Sequence, residues 1–176
     1  KFQLTNEFLI HLQEKMKMKP SLVESQDLHL IGFKKPFRGV FDENSNNQEV
    51  IPKLWQELVA RMDEIPNKKS DYLYGVIECN LMDGADTLEY MAAVAVENFK
   101  EVPVGMTAFT FTAGKIAKFS HIGSPSEIDK TVKYIFGTWL PQSSYKLREG
   151  LELEIYPHDY DPTDPNCRFE YCLALQ

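Results

Sequence analysis

The sequence predicts an α+β fold built from two similar strand–helix–strand–strand halves, with an antiparallel sheet and a central cleft. Three observations carry this. The order of periodic segments repeats, the two candidate helices recur with a period of about 80 residues, and the strand segments come in short neighbouring pairs.

The elements follow in order. Residues 5 to 17 place Phe8, Leu9, Leu12 and Met16 on one helical stripe, with Asn6 as N-cap, before Lys15, Lys17, Lys19 and Pro20 end it. Residues 1–27 are therefore expected to be an N-terminal helix and linker, and 28–176 the folded domain. A strand over Leu28–Lys34 leads through an Asn-rich loop to a helix over Glu49–Ile65. A strand over Tyr72–Asn80, a turn at Asp83-Gly84 and a strand over Leu88–Asn98 close the first half. In the second half, Thr107–Phe111 and Lys115–His121 are extended, Pro125 opens a helix running to Trp139, and strands return at Leu151–Tyr156 and Arg168–Leu175. Local echoes support the duplication: Phe37-Arg38-Gly39 precedes the first helix as Phe119-Ser120-His121 precedes the second. Glu89-Tyr90 and Glu170-Tyr171 both fall at or near the start of a closing strand. Helices segregated to one face leave the other face of each half to frame a groove between them.

Bulk properties narrow the function classes. At 176 residues, with 43% hydrophobic and 26% charged residues, the chain has an ordinary globular composition. No apolar run approaches a membrane span, and the N-terminus lacks a secretory signal pattern. Three cysteines, Cys79, Cys167 and Cys172, make no disulfide framework, so a cytoplasmic location is expected. A net charge of −7 disfavours direct contact with nucleic acid and is permissive for cationic ligands.

Candidate chemistry centres on the segment Leu151-Glu152-Leu153-Glu154-Ile155-Tyr156. Its period of two puts Leu151, Leu153 and Ile155 on one face, expected under a helix, and Glu152, Glu154 and Tyr156 on the other. That acidic face is either solvated or lines the groove. Upstream, Tyr134 to Pro141 closes a helix with large rings, including Trp139, and Tyr145 turns the chain back toward the strand. A carboxylate among rings is a recipe for holding an amine or an aromatic cation. The alanines after Tyr90 make one face of that strand shallow, leaving room for either a ligand or close packing.

Other motifs are set aside. The loop His158 to Asp164 resembles a calcium loop, but Asp164 stands where the turn needs glycine. Cys167 and Cys172 have opposite strand parity, so neither zinc nor any other metal or cofactor is expected. There is no phosphate loop and no nucleophile elbow.

The stretch Tyr134 to Tyr156, with its helix, W-L-P, S-x-Y and E-x-Y pattern, resembles the GyrI-like domain, also called the AraC effector-binding or BmrR-type ligand domain. Ile31-Gly32, Trp55, Tyr90-Met91-Ala92, Pro103 to Met106 and Gly114 to His121 extend the similarity over residues 28 to 175. The resemblance implies a duplicated fold with a central cleft for small aromatic or cationic molecules. It puts the acidic pocket residue at Glu154 and aromatic positions at Trp139 and Tyr145; Trp55, Tyr90, Phe37 and Tyr156 extend the wall. Ser144 departs from the glycine often found before the family's tyrosine. The expected role is that of a non-catalytic effector domain of an AraC-type regulator, with a DNA-binding domain upstream in a longer chain. The alternatives are a hydrolase using Glu154 as general base, a stand-alone gyrase-inhibitor-like binder, and a protein-interaction surface.

Overall fold

The computed structural model describes residues 18–79 and 88–176. Its elements are β1 (Ser21–Ser25), β2 (Leu28–Phe37), α1 (Asn47–Arg61), β3 (Lys68–Cys79), β4 (Leu88–Val96), β5 (Thr107–Phe111), β6 (Gly114–Ile122), α2 (Ile128–Tyr134), β7 (Leu147–Tyr156) and β8 (Arg168–Leu175). The helix expected over residues 5 to 17 and the turn at Asp83-Gly84 lie outside the described residues. Ser21–Ser25 falls within the stretch expected as linker, yet it is an edge strand on β6. Its side chains are largely exposed, so pairing rather than burial makes it a strand, and alternation carries no trace of it.

The eight strands form one sheet in the order β1-β6-β8-β7-β3-β4-β2-β5, antiparallel at every pairing. The duplication is visible in that order, because β2-β4-β3 and β6-β8-β7 mirror one another about the β3–β7 seam. The leading strands are exchanged between the halves. β1 runs into β2 but pairs with β6, and β5 runs into β6 but pairs with β2. The exchange brings the two connecting turns together, where Asp27 accepts a hydrogen bond from the backbone N–H of Ala113 at 2.6 Å. Ser25 also donates to the carbonyl of Gly114 at 2.9 Å.

This curling corrects two expectations. The face away from the helices frames no groove; it closes on itself around Leu30, Val76, Met91, Phe111, Leu153 and Cys172, all from strands. Leu151, Leu153 and Ile155 point into this strand-only core rather than under a helix. Ala93 and Ala95 join them there, and their small side chains let the sheet bend tightly, so the shallow face of β4 serves packing. The helices cover the opposite face, the one carrying Glu152, Glu154 and Tyr156. Leu54 and Leu58 of α1 and Ile135 beyond α2 are fully buried there against Tyr90, Val94, Phe119 and Leu173.

The second helix is less regular than expected. Ser124 caps a 3-10 turn at Pro125–Glu127, α2 follows, Ile135–Trp139 is π-helical, and Leu140–Gln142 ends it. Pro141 has no N–H to offer the carbonyl of Gly137, and the ladder widens just before it, with Leu140 N–H bonding the Ile135 carbonyl. No helix of the described residues is long and apolar enough to cross a membrane.

Candidate functional site

The acid-bearing face of β7 lies beneath the two helices because the sheet's other face is consumed by its own curl. Glu154 is 5% exposed. Tyr90 of β4 donates to its Oε2 at 2.5 Å, and Tyr156 donates to the same oxygen at 2.9 Å. Trp55 of α1 in turn donates from Nε1 to the Tyr90 hydroxyl at 3.1 Å. Among the described residues, none of the ion pairs engages Glu154.

Rings surround this relay. Trp55 meets Tyr156 edge-on at 5.3 Å, Phe37 meets Tyr90 at 6.0 Å, and Tyr156 stacks on Phe169 at 4.5 Å. A small cavity of about 50 Å³ opens onto Glu154, Tyr156 and Phe169 between Asn47 and Ile51 of α1 and Ile128 of α2. The wall on the α2 side is anchored by His121, whose ring nitrogens meet the Thr131 hydroxyl at 2.8 Å and the Ser124 carbonyl at 3.1 Å. Burial lowers the His121 pKa, which keeps the imidazole neutral, and a neutral ring satisfies both contacts as one donor and one acceptor.

The electrostatics follow from burial without a counter-ion. Desolvation raises the pKa of the Glu154 carboxyl, and the two tyrosine hydroxyls oppose that rise by bonding its charged form. Burial and the neighbouring carboxylate push both tyrosines well above their ordinary range, so they remain donors.

Of the residues expected at the site, the structure brings Glu154, Tyr90, Tyr156 and Trp55 into one hydrogen-bonded and ring-packed group, with Phe37 touching it through Tyr90. Trp139 and Tyr145 stand apart. They stack on each other at 6.1 Å, and Trp139 packs edge-on against Phe119 of β6 at 5.0 Å. Phe119 is the cross-strand partner of Tyr171, itself the partner of Glu154, so this second ring group joins the acid only through β8. Ser143, not residue 144, sets the turn before Tyr145, accepting from its backbone N–H at 3.2 Å.

Two contributors escaped the sequence reading. Phe169 shares the face of Tyr171 by alternation along β8, a signal that was present but unused. Alternation places Glu152 on the acidic face beside Glu154; it is 9% exposed and accepts from the Tyr171 hydroxyl. Burial, and then the charge on Glu154, pushes its carboxyl up to about 8.

A desolvated acid walled by tryptophan and tyrosine under paired helices defines a small-molecule-binding domain. The chain belongs to the GyrI-like small molecule binding domain family, whose model matches residues 18–176. Over 129 residues it is 27% identical to the transcriptional regulator BrlR of Pseudomonas aeruginosa, an alignment taking in 72% of this chain and 47% of that protein. The chain thus spans about half the length of this curated relative. Its fold is similar to that of SAV2435 bound to tetraphenylphosphonium, with a TM-score of 0.71 and 18% identity over 90% of this chain and 94% of that one. It is also similar to the EcmrR C-terminal domain, with a TM-score of 0.64 and 13% identity over 90% of this chain and 98% of that one.

Proposed function

We propose that this domain senses an aromatic or cationic small molecule at Glu154 for a bacterial transcription regulator, AraC-type in its domain pairing. The observation that carries the reading is the Glu154 carboxylate itself: buried, bonded by two tyrosines, flanked by rings and cavity, and unmatched by any cation among the described ion pairs. A buried unpaired acid costs stability, and a cationic ligand would remove that cost while gaining cation–π contacts of about 0.5 to 2 kcal/mol each. The similarity of fold to a protein bound to tetraphenylphosphonium, and of sequence to a transcriptional regulator, supports the same direction. Trp55, Tyr90 and Tyr156 form the wall in this reading and Phe37 backs Tyr90, while Trp139, packed on Phe119, and Tyr145, stacked on Trp139, lie outside it. The DNA-binding partner would lie in a longer chain, with ligand binding biasing its arrangement.

A hydrolytic role for Glu154 is less well supported. The two hydroxyls on its Oε2 stabilise the charged form and so weaken it as a base, leaving Oε1 alone to take a proton from water. The test is calorimetry and thermal shift with tetraphenylphosphonium and neutral triphenylphosphine oxide against wild type and Glu154→Gln. Binding of the cation should weaken tenfold or more in the variant, about 1.4 kcal/mol or above, with the neutral compound unaffected. Equal loss for both compounds, or no binding of either to wild type, would overturn the charge-based reading. A product appearing on incubation with wild type, and absent with the variant, would establish the enzyme instead.

A further inference from the structure

Glu152 and Glu154 sit two residues apart on β7, so the pleat puts both side chains on the helix-covered face, their Cα atoms about 7 Å apart along the strand. Both are more than nine-tenths buried, and neither takes part in an ion pair among the described residues. At neutral pH, without a cation, two such groups do not both hold a charge, and the one with more donors keeps it. Glu154 has two hydroxyl donors from Tyr90 and Tyr156; Glu152 has one, from Tyr171.

We propose that Glu152, buried two residues along β7 from the cavity-lining Glu154, is its proton-holding partner and a specificity-determining residue, neutral beside one positive centre and ionised, with release of one proton, beside two. This rests on the reading of Glu154 as the contact for a cationic ligand. The step balances simply: the Glu152 carboxyl O–H bond breaks, the proton passes to solvent, and the carboxylate left behind pairs with the ligand's second centre. A monocation leaves the cleft with one charge matched. A dication finds two carboxylates at the spacing set by the strand.

The surroundings of Glu152 fit this role. The titratable groups on its side of the sheet are Glu154 and Tyr156 on β7, Cys79 on β3, Tyr90 on β4, Tyr171 on β8, His121 and Lys115 on β6, Lys35 on β2 with its partner Glu57 on α1, and Tyr160 against Tyr156. The helices contribute Leu54, Trp55, Val132 and Ile135 to the cluster over this face, none of which titrates, together with Tyr134 at its margin. Lys34, Glu78 and Glu89 form an ionic group on β2, β3 and β4, and alternation with Val76 places Glu78 on the opposite face. Of these, Glu154 is the one whose charge bears on Glu152, and a carboxyl held near 8 is within reach of a cation that lowers pKa values by about 1 to 3 units. Tyr171, its neighbour Phe119 and the Trp139 packed on Phe119 supply aromatic surface on that side.

The experiment is calorimetry on the full chain at pH 7, in phosphate and in Tris, whose ionisation enthalpies differ. The probes are tetraphenylphosphonium and a bis-quaternary ammonium with centres about 7 Å apart. Wild type should release close to one proton per dication and little with the monocation. Glu152→Gln should release none and lose about tenfold in its preference for the dication over the monocation, with cooperative thermal unfolding showing that the variant folds. In wild type at pH 9.5, where Glu152 is already ionised, the release should vanish, a check that needs no variant. Dication binding without proton release, or with equal release in Glu152→Gln, would overturn the inference while the Glu154 reading stands. Failure of wild type to bind either cation would overturn both.

Discussion

Gly75 of β3 and Glu154 of β7 are direct cross-strand partners, and the missing side chain of the one makes room for the carboxylate of the other. A Cβ at Gly75 would run into the Tyr90 hydroxyl and Glu154 Oε2. Gly75→Ala should therefore push apart the hydrogen bond at the centre of the site. Overpacking of this kind costs about 1 to 3 kcal/mol. Urea unfolding should show that loss, and cation binding should fall with it; an alanine variant of unchanged stability and affinity would mean that the pair has more freedom than its geometry implies.

Tyr90 is fully buried and acts in both directions, donating to Glu154 and accepting from Trp55. Tyr90→Phe keeps the ring and removes both bonds. A hydrogen bond to a charged group contributes about 1.5 to 3 kcal/mol, and the Trp55 indole N–H loses its acceptor as well. With one donor gone, the charged form of Glu154 is less favoured, so its pKa should rise further. The pH midpoint of cation binding should move upward, and an unchanged midpoint would show that Tyr156 alone sets the carboxylate's charge state.

The two-half order and most strand positions are legible because each rests on local periodicity, whereas Glu154 stands out through the ring-rich segment before it and the family resemblance. Alternation along Leu151 to Tyr156 separated the two faces correctly. It could not say which face lay under a helix, because the sheet's curl depends on β1 and β5 being exchanged between halves, a long-range pairing with no local signature. The same limit separates Trp139 and Tyr145 from Glu154, although the family resemblance groups them with it. They approach it along the chain, but the π-helical widening before Pro141 and the packing on Phe119 leave them on the β6 side. Glu152 is legible as a neighbour of Glu154, but an acid on an alternating strand more often faces solvent, so its burial does not follow from the pattern.

The charge state of Glu152 gives the fold a pH dependence with a defined sign. In the unfolded chain this carboxyl titrates near 4.5, whereas the folded protein holds its proton up to about 8. Between those values the folded state keeps a proton that the unfolded state gives up. Stability from this group is thus full below the unfolded value and declines as pH rises, until the folded carboxyl ionises. The slope for one proton is at most about 1.4 kcal/mol per pH unit. Urea titrations at pH 5.5, 6.5 and 7.5 should show falling stability in wild type and a flatter profile in Glu152→Gln; parallel profiles would place the titration elsewhere.

The cavity beside Glu154, about 50 Å³, is far smaller than the roughly 300 Å³ that a ring-bearing ligand needs, so binding must part the two helices. Their starts are tied across the cleft by Asn47 Nδ2 donating to Asp129 Oδ1 at 3.2 Å and Gln48 Nε2 donating to the Ser126 carbonyl at 3.4 Å. Asn47 lines the cavity, but Asp129 does not, so Asp129→Ala loosens the tie without altering the surface a ligand meets. One such bond is worth about 1 kcal/mol net, and a binding-competent state hidden by that amount gains about fivefold in population when the bond is lost. Stopped-flow quenching of tryptophan fluorescence by tetraphenylphosphonium should show association about fivefold faster in Asp129→Ala, at a cost of a few degrees in Tm. A change confined to the dissociation rate would instead mean that the tie persists in the bound state and that the helices separate along another line.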